Sequence, residues 1–305
     1  MANLDQSVTL AGVTFKNPIL VASGTFGFGR EYGGFYDISQ LGGICCKGLT
    51  PQRREGNPSP RIAETPMGML NSVGLQNPGV DAFIANELPR LKEQDVRIVA
   101  NISGNTPEEY GEMCEKLSAA GVDMIEVNIS CPNVKAGGLA YGTQPALAAE
   151  VTAEAKRHST VPVMVKLSPN VTDITEIARA VEGAGADALS LINTLRGMRI
   201  DVATRRPILK MNTGGLSGPA LFPVALRMVW EVANAVKVPI LGMGGVSSGD
   251  DAAQMLLAGA SAVAVGAACF DDPFAPLKIR DQLAAIAVAQ GLDKVSDLTG
   301  KLQPW

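Results

Sequence analysis

Short β-prone runs alternate with helical patterns from residue 19 almost to the end of the chain, and this alternation limits the possible folds most strongly. We predict eight strands, at residues 19–22, 43–46, 97–102, 124–129, 163–167, 188–192, 240–243 and 262–265. Near-continuous apolar strands separated by helices indicate a parallel sheet that is covered by those helices. Eight such units in about 250 residues favour an α/β fold of the (β/α)8 type, a closed TIM barrel, over an open doubly wound sheet.

Three stretches exceed what a plain barrel needs. The first is a predicted N-terminal β-hairpin, with strands at 8–10 and 13–15 and a turn at Ala11-Gly12. The others, residues 48–95 and 195–216, are interpreted as elaborated loops at the C-terminal face of the barrel. Because no linker rich in proline or serine divides the chain, we predict one domain that spans residues 1–305.

Two of the intervening helices have recognisable start signals. Thr106, followed by Pro107 and Glu109, predicts a capping box with proline at the first helical position. Ser247 and Asp250 stand in a similar frame before the helix that follows the seventh strand. Both signals support helices at the places where the barrel requires them.

Composition narrows the class of partner and the compartment. With 46% hydrophobic and 18% charged residues the chain is an ordinary globular sequence, and its net charge of -4 gives no electrostatic reason to expect nucleic acid or an anionic membrane as partner. The N-terminus lacks the features of a signal peptide, and no apolar run approaches the roughly 18 residues that a membrane span needs. We therefore expect a cytoplasmic protein, with small molecules and other proteins as the remaining classes of partner.

The five cysteines include no C-x-x-C pair, so neither a disulfide framework nor a zinc or iron–sulfur site is predicted. Cys45 and Cys46 lie within an apolar strand and Cys114 lies on a helix, which favours core packing for all three. The sequence leaves the role of Cys269, beyond the last strand, undecided.

Cys131 differs from the others because it follows a buried strand instead of lying inside one. Pro132 ends that strand, and the Gly137-Gly138 pair gives the next loop freedom to open and close. Reactive groups of barrel enzymes stand at this end of the strands. A buried structural cysteine is the alternative interpretation. The sole histidine, His158, is expected on the surface, which disfavours a histidine-based mechanism.

The residues at the predicted strand ends should face one site, and they are chemically unusual. They are Ser23-Gly24, Lys47-Gly48, Asn101, Asn128, Lys166, Asn193-Thr194, Gly244-Gly245 and Gly266-Ala267. Glycines after strands seven and eight match the place where barrels bind phosphate through backbone N–H groups. The asparagines suit an amide-bearing ring, or else they stabilise turns locally. The lysines suit an anion or developing negative charge, or else they form surface ion pairs.

Taken together, the sequence resembles the dihydroorotate dehydrogenases, FMN enzymes of pyrimidine synthesis that are built on a (β/α)8 barrel. The resemblance covers essentially the whole chain. It rests on six segments in order: KGLT at 47–50, NSVGLQNPG at 71–79, NISCPN at 128–133, VKLSP at 165–169, TGGLSG at 213–218 and GMGG at 242–245.

Carried to matching positions, the resemblance implies that this chain binds FMN and oxidises dihydroorotate to orotate. Cys131 would be the base that removes a proton from C5 while hydride passes from C6 to flavin N5. Lys166 would lie near flavin N1 and O2, and Lys47 would contact the substrate and the flavin. A lid at residues 133–142 would exclude water during the transfer.

The resemblance also implies two sets of binding residues. The flavin set is Ser23, Gly24, Lys47, Gly48, Asn101, Asn128, Lys166, Ile192 and Gly218, with Gly244, Gly245, Gly266 and Ala267 at the phosphate. The substrate set is Lys47, Asn71, Ser72, Val73, Gly74, Leu75, Asn128, Asn193 and Thr194. The family more often has threonine at position 267, so a hydroxyl contact to the phosphate would be missing here.

The cysteine base and a barrel that begins by about residue 8 are similar to class 1 of the family. The segment NTLRGMRID at 193–201 resembles the NAD-linked class 1B. The chain has no convincing G-x-G-x-x-G of its own. Class 1B implies a second subunit that carries FAD and a [2Fe-2S] cluster and passes electrons to NAD, with a homodimer of this chain inside a heterotetramer.

Four alternatives stay open on the sequence alone. A fumarate-linked class 1A enzyme or a dihydropyrimidine dehydrogenase-type flavoenzyme would keep nearly all of these residues. A phosphate-binding aldolase would use Lys166 as a Schiff-base lysine. A non-catalytic flavin-binding protein would keep the glycines but would have no use for Cys131 and the two lysines.

Overall fold

The computed structural model describes residues 4–130 and 141–305. Eight parallel strands form a closed barrel in which each strand pairs with its neighbours in chain order, and the eighth pairs with the first. Numbered one to eight, they are Ile19–Val21, Gly43–Cys45, Arg97–Ile102, Met124–Asn128, Val163–Lys166, Ala188–Leu191, Ile240–Met243 and Ala262–Val265. The predicted (β/α)8 barrel is confirmed.

The α-helices whose bounds fall within the described residues lie between and after these strands. They are Val80–Asn86, Leu88–Lys92, Pro107–Ala120, Pro145–His158, Ile174–Gly183, Phe222–Ala233, Gly249–Leu257, Ala268–Asp271 and Ala275–Ala289. Short 3-10 helices occur at Tyr32–Gly34, Ile38–Gln40, Pro219–Leu221 and Val295–Leu298.

Several strands end one residue earlier than the sequence predicts. In some of them the backbone of that last predicted residue still hydrogen-bonds to a neighbouring strand. Ala22 donates to the Val265 carbonyl at 2.8 Å, and Ile192 donates to the Met243 carbonyl at 2.9 Å. The residues that leave the ladder are therefore held in place at the rim of the pocket.

Strand residues alternate between two cores, as the two-residue period of a strand requires. The inner core fills the barrel with sulfur-containing and small side chains, among them Cys45, Met124, Met164 and Ala188. The outer core packs branched residues of the strands against the helices and includes Cys46, Cys114 and Cys269. The predicted core positions of Cys45, Cys46 and Cys114 are confirmed, and Cys269 is buried as well.

The predicted hairpin is confirmed as two antiparallel strands, Val8–Leu10 and Val13–Phe15. Its apolar residues join the inner core, and the Phe15 ring packs so close to Gly43 that a Cβ there would lie 3.0 Å from it. The hairpin therefore closes the N-terminal end of the barrel, and the opposite end remains for a site.

The two long insertions combine into one antiparallel sheet, which the sequence did not predict. Its strands lie in the order Leu195–Gly197, Gly214–Ser217, Gly68–Asn71 and Ile62–Thr65. A separate two-stranded ribbon pairs Ile200–Asp201 with Arg206–Pro207. The insertions are thus structured walls at the barrel mouth.

The helix starts show one half-confirmed and one wrong prediction. Thr106 caps its helix by accepting from the Glu109 N–H at 3.4 Å, but the Glu109 carboxylate accepts from Asn105 and not from Thr106. The second box is shifted by one residue, to Ser248 and Asp251. The sequence offers both frames, and in the structure the later one carries both hydrogen bonds of the box. Within the described part of the chain, no helix combines the length and apolar character that a bilayer crossing requires.

We expect Ser248→Ala to lower the free energy of unfolding by about 1 kcal/mol, because it removes the side chain that accepts from the Asp251 N–H at 3.1 Å. Chemical denaturation measures the change. The matched control is Ser247→Ala, which removes only an exposed hydrogen bond from the Ser247 hydroxyl to the Asp251 carboxylate. It should lower the free energy of unfolding by less than half as much. Equal losses in the two variants would contradict the assigned cap.

Candidate active site

One pocket opens at the C-terminal ends of the barrel strands, between the strand rims and the four-stranded sheet of the insertions. Its lining includes nearly all of the predicted site residues, from every one of the predicted strand ends: Ser23, Gly24, Lys47, Gly48, Asn71, Val73, Gly74, Leu75, Asn101, Asn128, Lys166, Ile192, Asn193, Thr194, Gly218, Gly244, Gly245, Gly266 and Ala267. The structure therefore brings together in one place residues that are spread over about 240 positions of sequence.

Among the described residues that were predicted for the site, Ser72 is the one that is missing from this lining. Ser72 is fully buried and lies behind the pocket wall, where its N–H donates to the Arg61 carbonyl at 2.8 Å. The strand alternation explains this, because the side chains of Asn71 and Ser72 point to opposite sides of the wall. Cys131 and most of the predicted lid at 133–142 lie outside the described residues.

Sequence reasoning missed several residues of the pocket, most of them apolar. Ile62, Met69 and Ser217 come from the sheet of the insertions, while Leu221 and Phe270 come from short helices beyond strands six and eight. No strand-end pattern marks these residues. For Ile62 and Met69 the sequence signal is limited to β-prone runs within the surplus stretch at 48–95.

Two lysines define the electrostatics of the pocket. Lys166 is the last residue of strand five, is 4% exposed, and lies with its Nζ 3.4 Å from the Ser23 hydroxyl. Lys47 reaches the same region, since a Cβ on Gly24 would lie 3.6 Å from its Nζ. The described lining contains no aspartate, glutamate or histidine. The pocket is therefore suited to an anionic ligand.

The amides of Asn128 and Asn193 are oriented by Ser130. The Asn128 oxygen accepts from the Ser130 N–H at 3.1 Å and from its hydroxyl at 2.9 Å. The Asn193 nitrogen donates to the same hydroxyl at 2.7 Å, and its oxygen accepts from the Thr194 N–H at 2.7 Å. The predicted local role of these amides is confirmed, and both residues line the pocket. Their contact with an amide-bearing ring stays a prediction.

Backbone N–H groups gather where strands seven and eight end. Gly245 has φ +76°, and a Cβ there would lie 2.7 Å from both the Gly218 carbonyl oxygen and the Phe222 nitrogen, so only glycine fits. Within residues 4–130 and 141–305, the N–H groups of Gly244, Gly245, Gly266 and Ala267 have no hydrogen-bond acceptor. Such a set of donors is a common phosphate-binding arrangement in barrels.

Only one end of the Asn101 side-chain amide has a hydrogen-bond partner among the described residues. Its amide nitrogen donates to Glu126 at 2.5 Å, and its amide oxygen is buried and accepts no hydrogen bond from any described residue. That oxygen borders Gly48, where a Cβ would lie 2.8 Å from it. An unsatisfied buried acceptor next to a pocket indicates a ligand that donates an N–H.

The described cysteines are not suited to act as bases. Burial raises the pKa of each of the Cys46, Cys114 and Cys269 thiols to about 12, and it raises the pKa of the Cys45 thiol well above its ordinary value. None of these four lines the pocket.

Among the described residues we also find no group of three or more His, Cys, Asp or Glu side chains that could hold a metal ion. His158 is partly exposed at a helix end, beside Glu154.

Comparison with known proteins agrees with the geometry. The family described as dihydroorotate dehydrogenase matches residues 6–287. A protein of Halalkalibacterium halodurans is 56% identical over 96% of this chain and 97% of its own length, and one of Anoxybacillus flavithermus is 56% identical over 97% and 95%. One of Alkaliphilus oremlandii is 53% identical over 99% of this chain and 100% of its own. All three are named dihydroorotate dehydrogenase B (NAD(+)), catalytic subunit.

Proposed function

Because this chain belongs to the dihydroorotate dehydrogenase family, we propose that it oxidises (S)-dihydroorotate to orotate in the synthesis of pyrimidines. The observation that carries the proposal is the pocket itself. It combines two lysines, oriented asparagine amides and a set of free backbone N–H groups at one end of the barrel. Dihydroorotate presents a carboxylate and ring amides, which such groups bind well.

We propose FMN as the cofactor, held by the residues of the flavin set. We also propose that residues 1–305 form one domain. Two features of the pocket fit this group. The N–H groups of Gly244, Gly245, Gly266 and Ala267 suit its phosphate, and the unpartnered Asn101 oxygen suits a ring N–H. When bound, FMN accepts the hydride that leaves C6 of the substrate. Lys166 would stabilise negative charge on the reduced ring, since it is buried and positively charged.

The substrate would lie beside Lys47 and against the asparagines. We assign Asn71, Asn128, Asn193 and Thr194 to its ring and carboxylate, with the 73–75 loop as the wall. Ser130 holds two of these amides in one orientation before the ligand arrives. This lowers the entropic cost of binding and favours a single ring orientation.

We assign Cys131 as the base that takes the C5 proton on its thiolate sulfur. Two observations support the assignment. The described lining offers no carboxylate or imidazole, and the four described cysteines are buried with raised pKa values. Cys131 is bonded directly to Ser130, which contacts both substrate-binding asparagines. A thiolate is a competent base where its surroundings favour ionisation.

We further propose that electrons leave through a partner subunit that carries FAD and a [2Fe-2S] cluster and reduces NAD. A homodimer of this chain with two such partners would form a heterotetramer. The name shared by the relatives, a catalytic subunit linked to NAD(+), supports a partner subunit and the link to NAD. The same name favours NAD over fumarate as the final acceptor.

Anaerobic addition of dihydroorotate to the purified chain should bleach the visible flavin band. NAD should reoxidise the isolated chain slowly and should do so rapidly only after the partner subunit is added. Stopped-flow spectroscopy follows both steps. A flavin that stays oxidised would refute the substrate assignment, and rapid reoxidation by fumarate alone would refute the NAD-linked assignment.

Cys131→Ala should retain FMN but reduce it about 10²- to 10⁴-fold more slowly, the usual contribution of a positioned base. In the parent protein the rate should rise with pH through the pKa of the thiol, because only the deprotonated sulfur accepts a proton. The variant should lose this dependence. Cys114→Ala, which removes a buried thiol from a helix outside the barrel, is the matched control and should keep the parent rate. An unchanged rate in Cys131→Ala would remove Cys131 from the mechanism.

Lys166→Met should slow flavin reduction by about 10²- to 10³-fold, because it removes a buried positive charge while keeping most of the side-chain volume. Flavin affinity, measured by titration of the apoprotein, should also fall. Lys301→Met, at an exposed position near the C-terminus, controls for loss of charge elsewhere. Parent values for both quantities in Lys166→Met would contradict its assigned place.

A further inference from the structure

A glutamate lies inside the barrel, directly below the pocket. Glu126 is in the middle of strand four and is fully buried. Its neighbours Ile125 and Val127 belong to the outer core, while Met124 belongs to the inner core, so the Glu126 side chain points into the barrel. A carboxylate is rare in such a place unless its hydrogen bonds are satisfied.

Glu126 makes one hydrogen bond through each oxygen. The Asn101 amide nitrogen donates to Oε2 at 2.5 Å, and the Ser190 hydroxyl donates to Oε1 at 2.7 Å. Asn101 stands directly opposite Glu126 in the pairing of strands three and four, and Ser190 comes from strand six. The carboxylate therefore links three strands of the barrel below its mouth.

This arrangement decides which end of the Asn101 amide faces the pocket. A carboxylate only accepts hydrogen bonds, so the group that faces it must be the NH₂. The amide oxygen is then directed to the opposite side, where it borders Gly48 in the pocket lining and accepts from no described residue. With an apolar residue at position 126, either end of the amide could face the pocket.

We propose that Glu126 is a positioning residue: it fixes the Asn101 amide with its oxygen toward the pocket, so that the site selects a ring that donates an N–H. The inference rests on the proposed function, and the ring is that of the flavin. The oxidised flavin ring has a single N–H, at N3. Glu126 thus contributes to cofactor recognition without touching the cofactor.

The test compares the affinities of the apoprotein for FMN and for 3-methyl-FMN, which lacks the N3 hydrogen, by fluorescence titration. The parent protein should bind 3-methyl-FMN more weakly by about tenfold or more, the value of one hydrogen bond to a buried partner. Glu126→Met, of similar size but unable to accept, should bind FMN about tenfold more weakly and show little preference between the two flavins.

Two variants distinguish loss of the hydrogen bond between Glu126 and Asn101 from general damage to the core. Glu126→Gln keeps the length of the side chain but can face Asn101 with either its oxygen or its NH₂, so its preference should lie between that of the parent and that of Glu126→Met. Ser190→Ala removes the other hydrogen bond of Glu126 and should keep the parent's preference. If Glu126→Met does not fold, Glu126→Asp serves instead, because its shorter side chain withdraws from Asn101 and should weaken the preference.

The inference is overturned if Glu126→Met or Glu126→Asp folds and discriminates between the flavins as strongly as the parent, or if the parent binds both flavins equally. In either case the parent would still bind FMN, and the proposed function would stand. A parent apoprotein that does not bind FMN at all would instead contradict the proposed function.

Discussion

Closure of the parallel barrel is the constraint on which the rest of the structure depends. Strand one hydrogen-bonds to strand two on one side and to strand eight on the other, so no strand edge is left unpaired. Since all eight strands run in one direction, their C-terminal ends meet in a single ring. Residues such as Ser23, Lys166 and Gly245, which are far apart in sequence, become neighbours for this reason alone.

The barrel interior shows how polar groups can be held in an apolar core. Most of it is filled by methionine, alanine, cysteine and branched residues. Into this core the chain inserts Glu126, Asn101 and Ser190, all fully buried, with Lys166 just above them. Buried polar groups are costly unless their hydrogen bonds are made, and here both carboxylate oxygens are occupied. The arrangement also makes the site rigid, and groups that are fixed before the ligand binds need little reorganisation.

The sequence predicts much of this structure, and the exceptions have physical reasons. The strands and most site residues follow from local patterns, since each strand end carries its own polar or glycine signal. The sheet formed by the two insertions pairs Gly68–Asn71 with Gly214–Ser217, and no local pattern reports contacts across such a distance. The cap at Ser248 could not be chosen because Ser247 offers an equivalent frame. Ser72 shows that a matched motif does not place every one of its side chains in the pocket.

The charge distribution around the pocket is consistent with the proposed thiol base. The chain carries a net charge of -4, yet the described lining holds Lys47 and Lys166 and no carboxylate. A carboxylate base among these groups would pair with a lysine. The pairing would lower the basicity of the carboxylate, and it would also lower the positive potential that attracts an anionic substrate. A thiol is neutral when protonated, and nearby positive charge favours its thiolate. Among the described residues of this region, Glu126 is the one buried carboxylate. It stands below the floor of the pocket, where it orients Asn101 and leaves the described lining positive.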